Sequence, residues 1–196
     1  ITIQPINPSA DRYAHMAIHP YPSHLIHIWT LGDGTQITIR PIRPEDAELE
    51  AEFVRRLSPE TKYFRFMTTL NELPPPMLAR LTQIDYDREM AFIAVTKDKN
   101  GEEIELGVAR YAVNPDGESC EFAIVVADEW QGRGLARRLM QILIETARSR
   151  GLKYMTGVFL ANNERMLRFV QSLGFTLTDD PEDRTIKKGI LPLQGS

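Results

Sequence analysis

The chain has 196 residues, with 42% hydrophobic and 26% charged side chains, the proportions of an ordinary globular domain long enough to bury a sizeable core. Its 23 Lys and Arg against 27 Asp and Glu leave a net charge of −4, which argues against a polyanion-coating nucleic-acid binder and against broad attraction to an acidic membrane. The longest apolar runs, residues 90–95 and 122–127, are six residues each, too short for a bilayer span or a secretory segment, and the single Cys120 excludes an intramolecular disulfide or a multi-cysteine zinc site. These features together suit a cytoplasmic protein.

Residues 1–24 hold four of the thirteen prolines and no sustained periodicity, so they read as an extended connector without a helix. A short strand around Leu25, Ile26, Ile28 and Trp29 reaches the turn Gly32-Asp33-Gly34, and residues 36–40 alternate beyond it as a hairpin partner. The spacing then predicts a helix over 45–57 with acidic residues in its first turn. Ser58 followed by Pro59 marks the N-cap and first position of a second helix, and Pro74-Pro75-Pro76 opens a third. Three β-rich runs, 90–96, 104–113 and 119–126, are separated by turn residues and read as an antiparallel meander. An amphipathic helix continues to about Arg148, with Leu135, Leu139, Ile142 and Leu143 on its apolar side and Gly151 ending it. Strand 154–160, helix 164–173 closed by Gly174, and a final strand pair at 175–178 and 185–191 complete the chain.

The most informative segment is Gln131-Gly132-Arg133-Gly134-Leu135-Ala136, where glycines stand at the mouth of a helix just after a strand. The first turn of a helix has N–H groups without internal acceptors and the positive end of the dipole, and glycine lets a diphosphate approach the backbone closely. A dinucleotide fingerprint fails here, because Arg137 occupies its small sixth position and the preceding strands form a meander. A P-loop fails as well, since no Gly-Lys-Ser/Thr tripeptide exists in the chain.

This segment resembles the acyl-CoA pyrophosphate loop of the GNAT superfamily of N-acetyltransferases, Gln/Arg-x-x-Gly-x-Gly/Ala. The opening Ile39-Arg40-Pro41-Ile42-Arg43-Pro44 and the later Asn163, Phe169 and Leu173-Gly174-Phe175 are similar to the same family. The resemblance implies an α/β (α+β) GNAT fold over 25–196: a mixed, mostly antiparallel sheet of six to seven strands, about four helices, and a V-shaped acyl-CoA cleft. By the same resemblance, Gln131, Gly132, Arg133, Gly134, Leu135, Ala136 and Arg137 hold the diphosphate of acetyl-CoA, the backbone of Ile124, Val125 and Val126 pairs with pantetheine, and Asn163 contacts the cofactor. Arg133, Arg137 and Arg138 stand either to meet phosphates or to solvate a helix start. No metal is implied.

A narrower likeness, to bacterial Pat-type protein lysine acetyltransferases, is carried by His19-Pro20-Tyr21-Pro22, by Leu57-Ser58-Pro59-Glu60-Thr61-Lys62-Tyr63-Phe64-Arg65-Phe66 and by Cys120-Glu121-Phe122-Ala123-Ile124. It implies that 1–24 is the tail and linker of an acyl-CoA synthetase-like region. It also implies a protein partner presenting a target lysine, such as an acyl-CoA synthetase, with neither nucleic acid nor membrane as partner and the oligomeric state, monomer or weak dimer, left open.

Acetyl transfer to an amine needs the neutral amine, which for lysine is about one molecule in 2,500 at pH 7, a cost of about 4.6 kcal/mol that a positioned base can offset. All four histidines, His15, His19, His24 and His27, precede Ile28, so the bases available to the domain are chiefly carboxylates. Glu121 is the foremost, on a strand whose alternation sets Glu121, Ala123 and Val125 on one face and Cys120, Phe122 and Ile124 on the other. Its apolar neighbours predict partial desolvation and a raised pKa. The glutamate matching Glu121 is the catalytic one in the Pat-type family. Cys120 then reads as a core thiol rather than a nucleophile. Val170 stands where many GNAT enzymes carry a tyrosine general acid, leaving Tyr111 and Tyr154 as substitutes, and Arg65, Glu45, Asp46, Glu48 and Glu50 as residues shaping the acceptor side. Two other functions fit the same motif: a small-amine N-acetyltransferase, and a non-catalytic acyl-CoA-sensing module.

Overall fold

The computed structural model describes residues 20–195. His15, His19 and most of the expected connector therefore lie outside the described residues. From Tyr21 the chain is already packed on the domain: the Tyr21 hydroxyl donates to Pro41 O at 2.8 Å and its ring meets Tyr86 edge-on at 5.9 Å. A single 3-10 turn, Ser23–Leu25, stands where no helix was expected.

Eight strands form one sheet. They are β1 (His27–Thr30), β2 (Gln36–Pro41), β3 (Glu89–Lys97), β4 (Glu103–Val113), β5 (Ser119–Val126), β6 (Tyr154–Leu160), β7 (Thr176–Asp179) and β8 (Ile186–Pro192), in the order β1-β2-β3-β4-β5-β6-β8-β7. The five α-helices are α1 (Ala47–Arg56), α2 (Pro59–Phe66), α3 (Pro75–Thr82), α4 (Leu135–Ser149) and α5 (Glu164–Ser172). The sheet is mixed and mostly antiparallel as expected, but it has one or two strands and one helix more than the resemblance implied. The short flanking strand β1 is held by four paired residues to β2, and the short helix α3 by its packing against α1.

Helices α4 and α5 cover one face of the sheet and α1 to α3 the other, so two cores form. The first holds Leu135, Leu139 and Leu143 of α4 against Phe92, Ala109 and Phe122. The second holds Phe53, Val54 and Leu57 of the α1 segment against Ile93, Val108 and Val125. The burial of Glu50, Phe53 and Val54 at i, i+3 and i+4 identifies the inner face of α1 and shows that it carries a carboxylate. The helix begins at the buried pair of Arg40 and Asp46, forked at 2.7 and 2.8 Å, with Asp46 also accepting from Arg43 N at 2.8 Å. Ser58 caps α2 as expected, its hydroxyl accepting from Thr61 N at 3.1 Å.

Two irregularities interrupt the sheet. The β3–β4 register shifts between Ala94 and Val95, so Leu106 becomes an extra residue in β4. Leu106 therefore joins the α4-side core, and Glu105 is turned towards α1, where it is 1% exposed. The second irregularity is the only parallel pairing among the described residues, β5 with β6, which lasts for three residues, Ser119 to Glu121 against Tyr154 to Thr156. Beyond Glu121, β5 pairs with β4 alone. An aromatic wedge fills the α4 side of this splay: the Phe122 ring lies 5.8 Å from Phe159 and 5.1 Å from Phe175. A Cβ on Gly157 of β6 would come within 2.6 Å of both Phe122 and Phe159, so only glycine fits beneath the wedge.

Candidate active site

The splay opens a cleft of about 470 Å³, walled by β5, the β5–α4 loop, the start of α5 and the exposed side of α2. That volume suits a ligand of cofactor size. One end is the mouth of α4. Gly132 and Gly134 have φ of 76° and 88°, a conformation open to glycine at little cost, and no side chain caps the helix. The first amide of this stretch to find a backbone acceptor is that of Arg138, bonded to Gly134 O at 3.1 Å. The N–H groups of residues 132 to 137 have none among the described residues. Six successive donors at the positive end of a 15-residue helix make an anion cradle.

Side chains from distant elements brace this cradle. Gln131 donates through Nε2 to Val126 O at 3.1 Å and accepts through Oε1 from Arg165 at 2.9 Å. Asp128 accepts from Ser58 N at 2.9 Å, from Ser58 Oγ at 2.8 Å and from Thr61 Oγ1 at 2.7 Å. The β5–α4 loop is thereby tied to the N-terminus of α2. Burial alone would raise the Asp128 pKa, but the bonds from Ser58 and Thr61 outweigh it and hold the carboxyl below its ordinary 3.8.

Of the residues expected to hold acetyl-CoA, Ile124, Val125, Val126, Gln131, Gly132, Gly134, Ala136, Arg137 and Asn163 all line the cleft. Leu135 does not: its side chain is fully buried in the α4-side core, so only its backbone faces the mouth. Arg133 is exposed outside the lining, with its guanidinium 4.0 Å above the Trp130 ring. Arg138 lies over Trp29 at 5.0 Å, and Arg137 donates to Ser172 Oγ at 2.7 Å. The Asn163 side chain is engaged as the N-cap of α5, accepting from Met166 N at 3.3 Å.

Glu121 sits on the last residue of β5 that pairs with β6, at the apex of the splay. Alternation is as expected, with Cys120, Phe122 and Ile124 in the α4-side core and Val125 in the other. The expected desolvation is not found. Glu121 is exposed and lies outside the cleft lining, because the α1-to-α3 layer does not extend over this end of β5. Cys120 is fully buried, its Sγ 3.7 Å from Tyr154 O, and burial pushes its thiol up to about 12, which fits a core thiol. Val170 is fully buried. Neither substitute acid reaches the cleft: Tyr111 is buried under Arg150 on the far side of the sheet, and Tyr154 is exposed on β6. Sequence reasoning did not single out Asp128, Arg165 or Met166, nor the part played by Phe169 of α5 and by Thr61 and Phe64 of α2 as cleft wall.

Behind α2 lies a buried charged cluster. Arg110 donates to Leu81 O at 3.1 Å and pairs with Glu50 at 3.6 Å. Neither oxygen of Glu105 receives a hydrogen bond among the described residues; burial, reinforced by Glu50, pushes its carboxyl well above the ordinary range. No helix among the described residues is long and apolar enough to cross a membrane.

Known proteins are similar to this chain in sequence and fold. An acetyltransferase of Pseudomonas aeruginosa is 42% identical over 156 residues, which cover 80% of this chain and 83% of that one. The acetyltransferase Pat of Mycolicibacterium smegmatis is 28% identical over 142 residues, 72% of this chain but 41% of its own length. An L-methionine sulfoximine/L-methionine sulfone acetyltransferase of Pseudomonas aeruginosa is 31% identical over 113 residues, 55% of this chain and 64% of that one. The crystal structure of the GNAT domain of S. lividans PAT superposes with a TM-score of 0.78 at 25% identity, covering 88% of this chain and 99% of that domain. The model of the acetyltransferase (GNAT) family matches residues 52–175, from α1 through the splayed strands and the glycine mouth to the end of α5, and to that family the chain belongs.

Proposed function

We propose that this acetyltransferase moves the acetyl group of acetyl-CoA directly to the ε-amine of a lysine on a protein, with Glu121 as the base. The observation that carries the donor site is the run of six unbonded N–H groups from Gly132 to Arg137, opening onto the cleft beside the unpaired edge of β5. The CoA diphosphate occupies that cradle, and pantetheine runs along Ile124 to Val126 towards Glu121 as an added strand would. Support for a protein acceptor comes from the two Pat-type relatives and from the open, solvent-facing position of Glu121.

In the transfer step, the lysine ammonium loses a proton to the Glu121 carboxylate, and the freed lone pair attacks the thioester carbonyl carbon. The adduct nitrogen gives its second proton to solvent, and collapse then breaks the C–S bond, leaving the acetyl-lysine amide and CoA as a thiolate, while Glu121 returns its own proton to solvent. A thiol of pKa about 8.5 leaves readily and takes its proton from solvent, so a buried Val170 at the usual tyrosine position does not block the reaction. The second reading, a small-amine acetyltransferase, is favoured by the methionine sulfoximine relative.

One assay decides between them: release of free CoA with an acyl-CoA synthetase, with lysine peptides and with small amines, for wild type and Glu121→Gln. The proposal expects protein acetylation by the wild type and a fall in kcat of about 10²- to 10⁴-fold in the variant. Acetylation of small amines alone refutes the protein acceptor, unchanged kcat refutes the base, and tight acetyl-CoA binding without any CoA release identifies a sensor.

A further inference from the structure

The wall of the cleft facing the α4 mouth carries a group that the transfer step leaves unused. Arg65, one turn beyond Thr61 on α2, lines the cleft and is partly buried. Its guanidinium lies 4.8 Å from the Phe66 ring, but none of its N–H groups meets an acceptor among the described residues. An arginine presents a planar fork of donors matched to a carboxylate, and the fork of Arg65 is open to the solvent of the cleft, where a carboxylate can reach it. Arg40 shows the same fork satisfied, by Asp46 at 2.7 and 2.8 Å.

The charges around Arg65 do not satisfy it. Burial and then repulsion from Arg110 pull its pKa down to about 10, offset only in part by Glu50. Glu50 is already paired with Arg110, and the buried Glu105 carboxyl sits well above its ordinary range. Two guanidinium groups therefore share one effective negative charge, and Arg65 is the one that opens to the cleft. Arg110 is the register partner of Ala123, two residues from Glu121 on the same face of β5. Arg65, which feels the charge of Arg110, thus stands in the cleft on the sheet face that Glu121 shares.

We propose that Arg65 receives a carboxylate of the acceptor, gripping it as a forked pair while the amine is presented at Glu121. The inference rests on the reading of Glu121 as marking the acceptor side. It specifies the substrate class as an amine with a carboxylate close by: an Asp or Glu flanking the target lysine of a protein, or the α-carboxylate of a free amino acid.

The test measures initial rates at saturating acetyl-CoA on lysine peptides in matched pairs, flanking Asp or Glu against Asn or Gln, and on free amino acids against their amides. Wild type, Arg65→Gln and Arg65→Lys are compared, the lysine variant keeping the charge should the glutamine variant fold poorly. The carboxylate member of the preferred class is expected to have a KM about 10- to 100-fold lower in the wild type. That advantage should vanish in Arg65→Gln and partly return in Arg65→Lys, with the KM for acetyl-CoA within about twofold throughout. Equal losses on both members of every pair, or a rise in the acetyl-CoA KM instead, overturn the inference, the latter by assigning Arg65 to a CoA phosphate. Peptides acetylated without regard to the carboxylate overturn it while leaving the protein-lysine reading intact. Inert peptides with Arg65-dependent turnover of free amino acids support it and refute that reading, and no turnover of any acceptor refutes both.

Discussion

The two walls of the cleft are built in opposite ways. The donor wall is contiguous in sequence, running from Ile124 through Gly134 into α4, and presents mainly backbone. The wall proposed to meet the acceptor is built from side chains of α2, among them Thr61, Phe64 and Arg65, backed by Glu50 of α1 and Arg110 of β4, which are far apart in the chain. Backbone donors at a helix mouth recognise any diphosphate, so one loop can serve many acetyltransferases. Side chains gathered from separate elements can instead be varied singly, and on the proposed reading acceptor selectivity resides there. Asp128 joins the two walls through Ser58 and Thr61, across 67 to 70 residues of sequence.

Three substitutions separate these contributions. The largest effect is expected on the donor wall: Gly134→Val places a β-branched residue at φ 88°, costing about 1–2 kcal/mol in thermal or denaturant unfolding. The displaced mouth should also raise the acetyl-CoA KM by about tenfold, as a loss of roughly 1.4 kcal/mol in anion binding would, and leave the KM of the acceptor nearly unchanged. A parallel change in both constants would show that the walls are not separable.

Asp128→Asn is expected to act on both walls, costing about 1 kcal/mol and raising both KM values together, because the Asn side chain replaces three charge-assisted bonds with weaker ones. The pH dependence is set by the depressed carboxyl. The stabilisation is fully present above the ordinary 3.8 and is lost as pH falls through the lower folded-state value, so wild type and variant should converge in an acid-unfolding titration below about pH 4.

The smallest effect concerns Glu105. Its carboxyl is raised in the folded protein, so with rising pH the unfolded chain ionises first, near the ordinary 4.5. The stability contributed by the neutral form is whole below 4.5 and is lost as pH climbs towards the folded value. Glu105→Gln should therefore flatten the stability profile above pH 4.5 and gain on the wild type as pH rises. An unaltered slope in urea unfolding would contradict the buried, neutral state of this residue.

The elements and the donor mouth were legible because they rest on local rules. The Ser58-Pro59 start of α2, the β-rich meander, the 3.6-residue stripe of α4 and the glycines before it are all read within a few neighbouring residues. The strand face of Glu121 is legible in the same way, but its exposure is not, since apolar neighbours in the chain do not reveal whether another layer covers a strand end. Leu106 and Glu105 break strict alternation through a bulge that no turn residue announces. Asp128 carries no signal, because its partners lie a third of the chain away.

By itself, then, the sequence determined the order and kind of nearly every element, the core face of α4, and the anion-binding mouth, all consequences of periodicity, caps and helix-end chemistry. Tertiary structure alone decided the three-residue limit of the β5–β6 pairing, the cleft that this limit opens, and the idle fork of Arg65 within it. Those features depend on how wedges such as Phe122 over Gly157 and charges such as Arg110 and Glu50 meet across the fold, and a meeting of distant residues leaves no local trace.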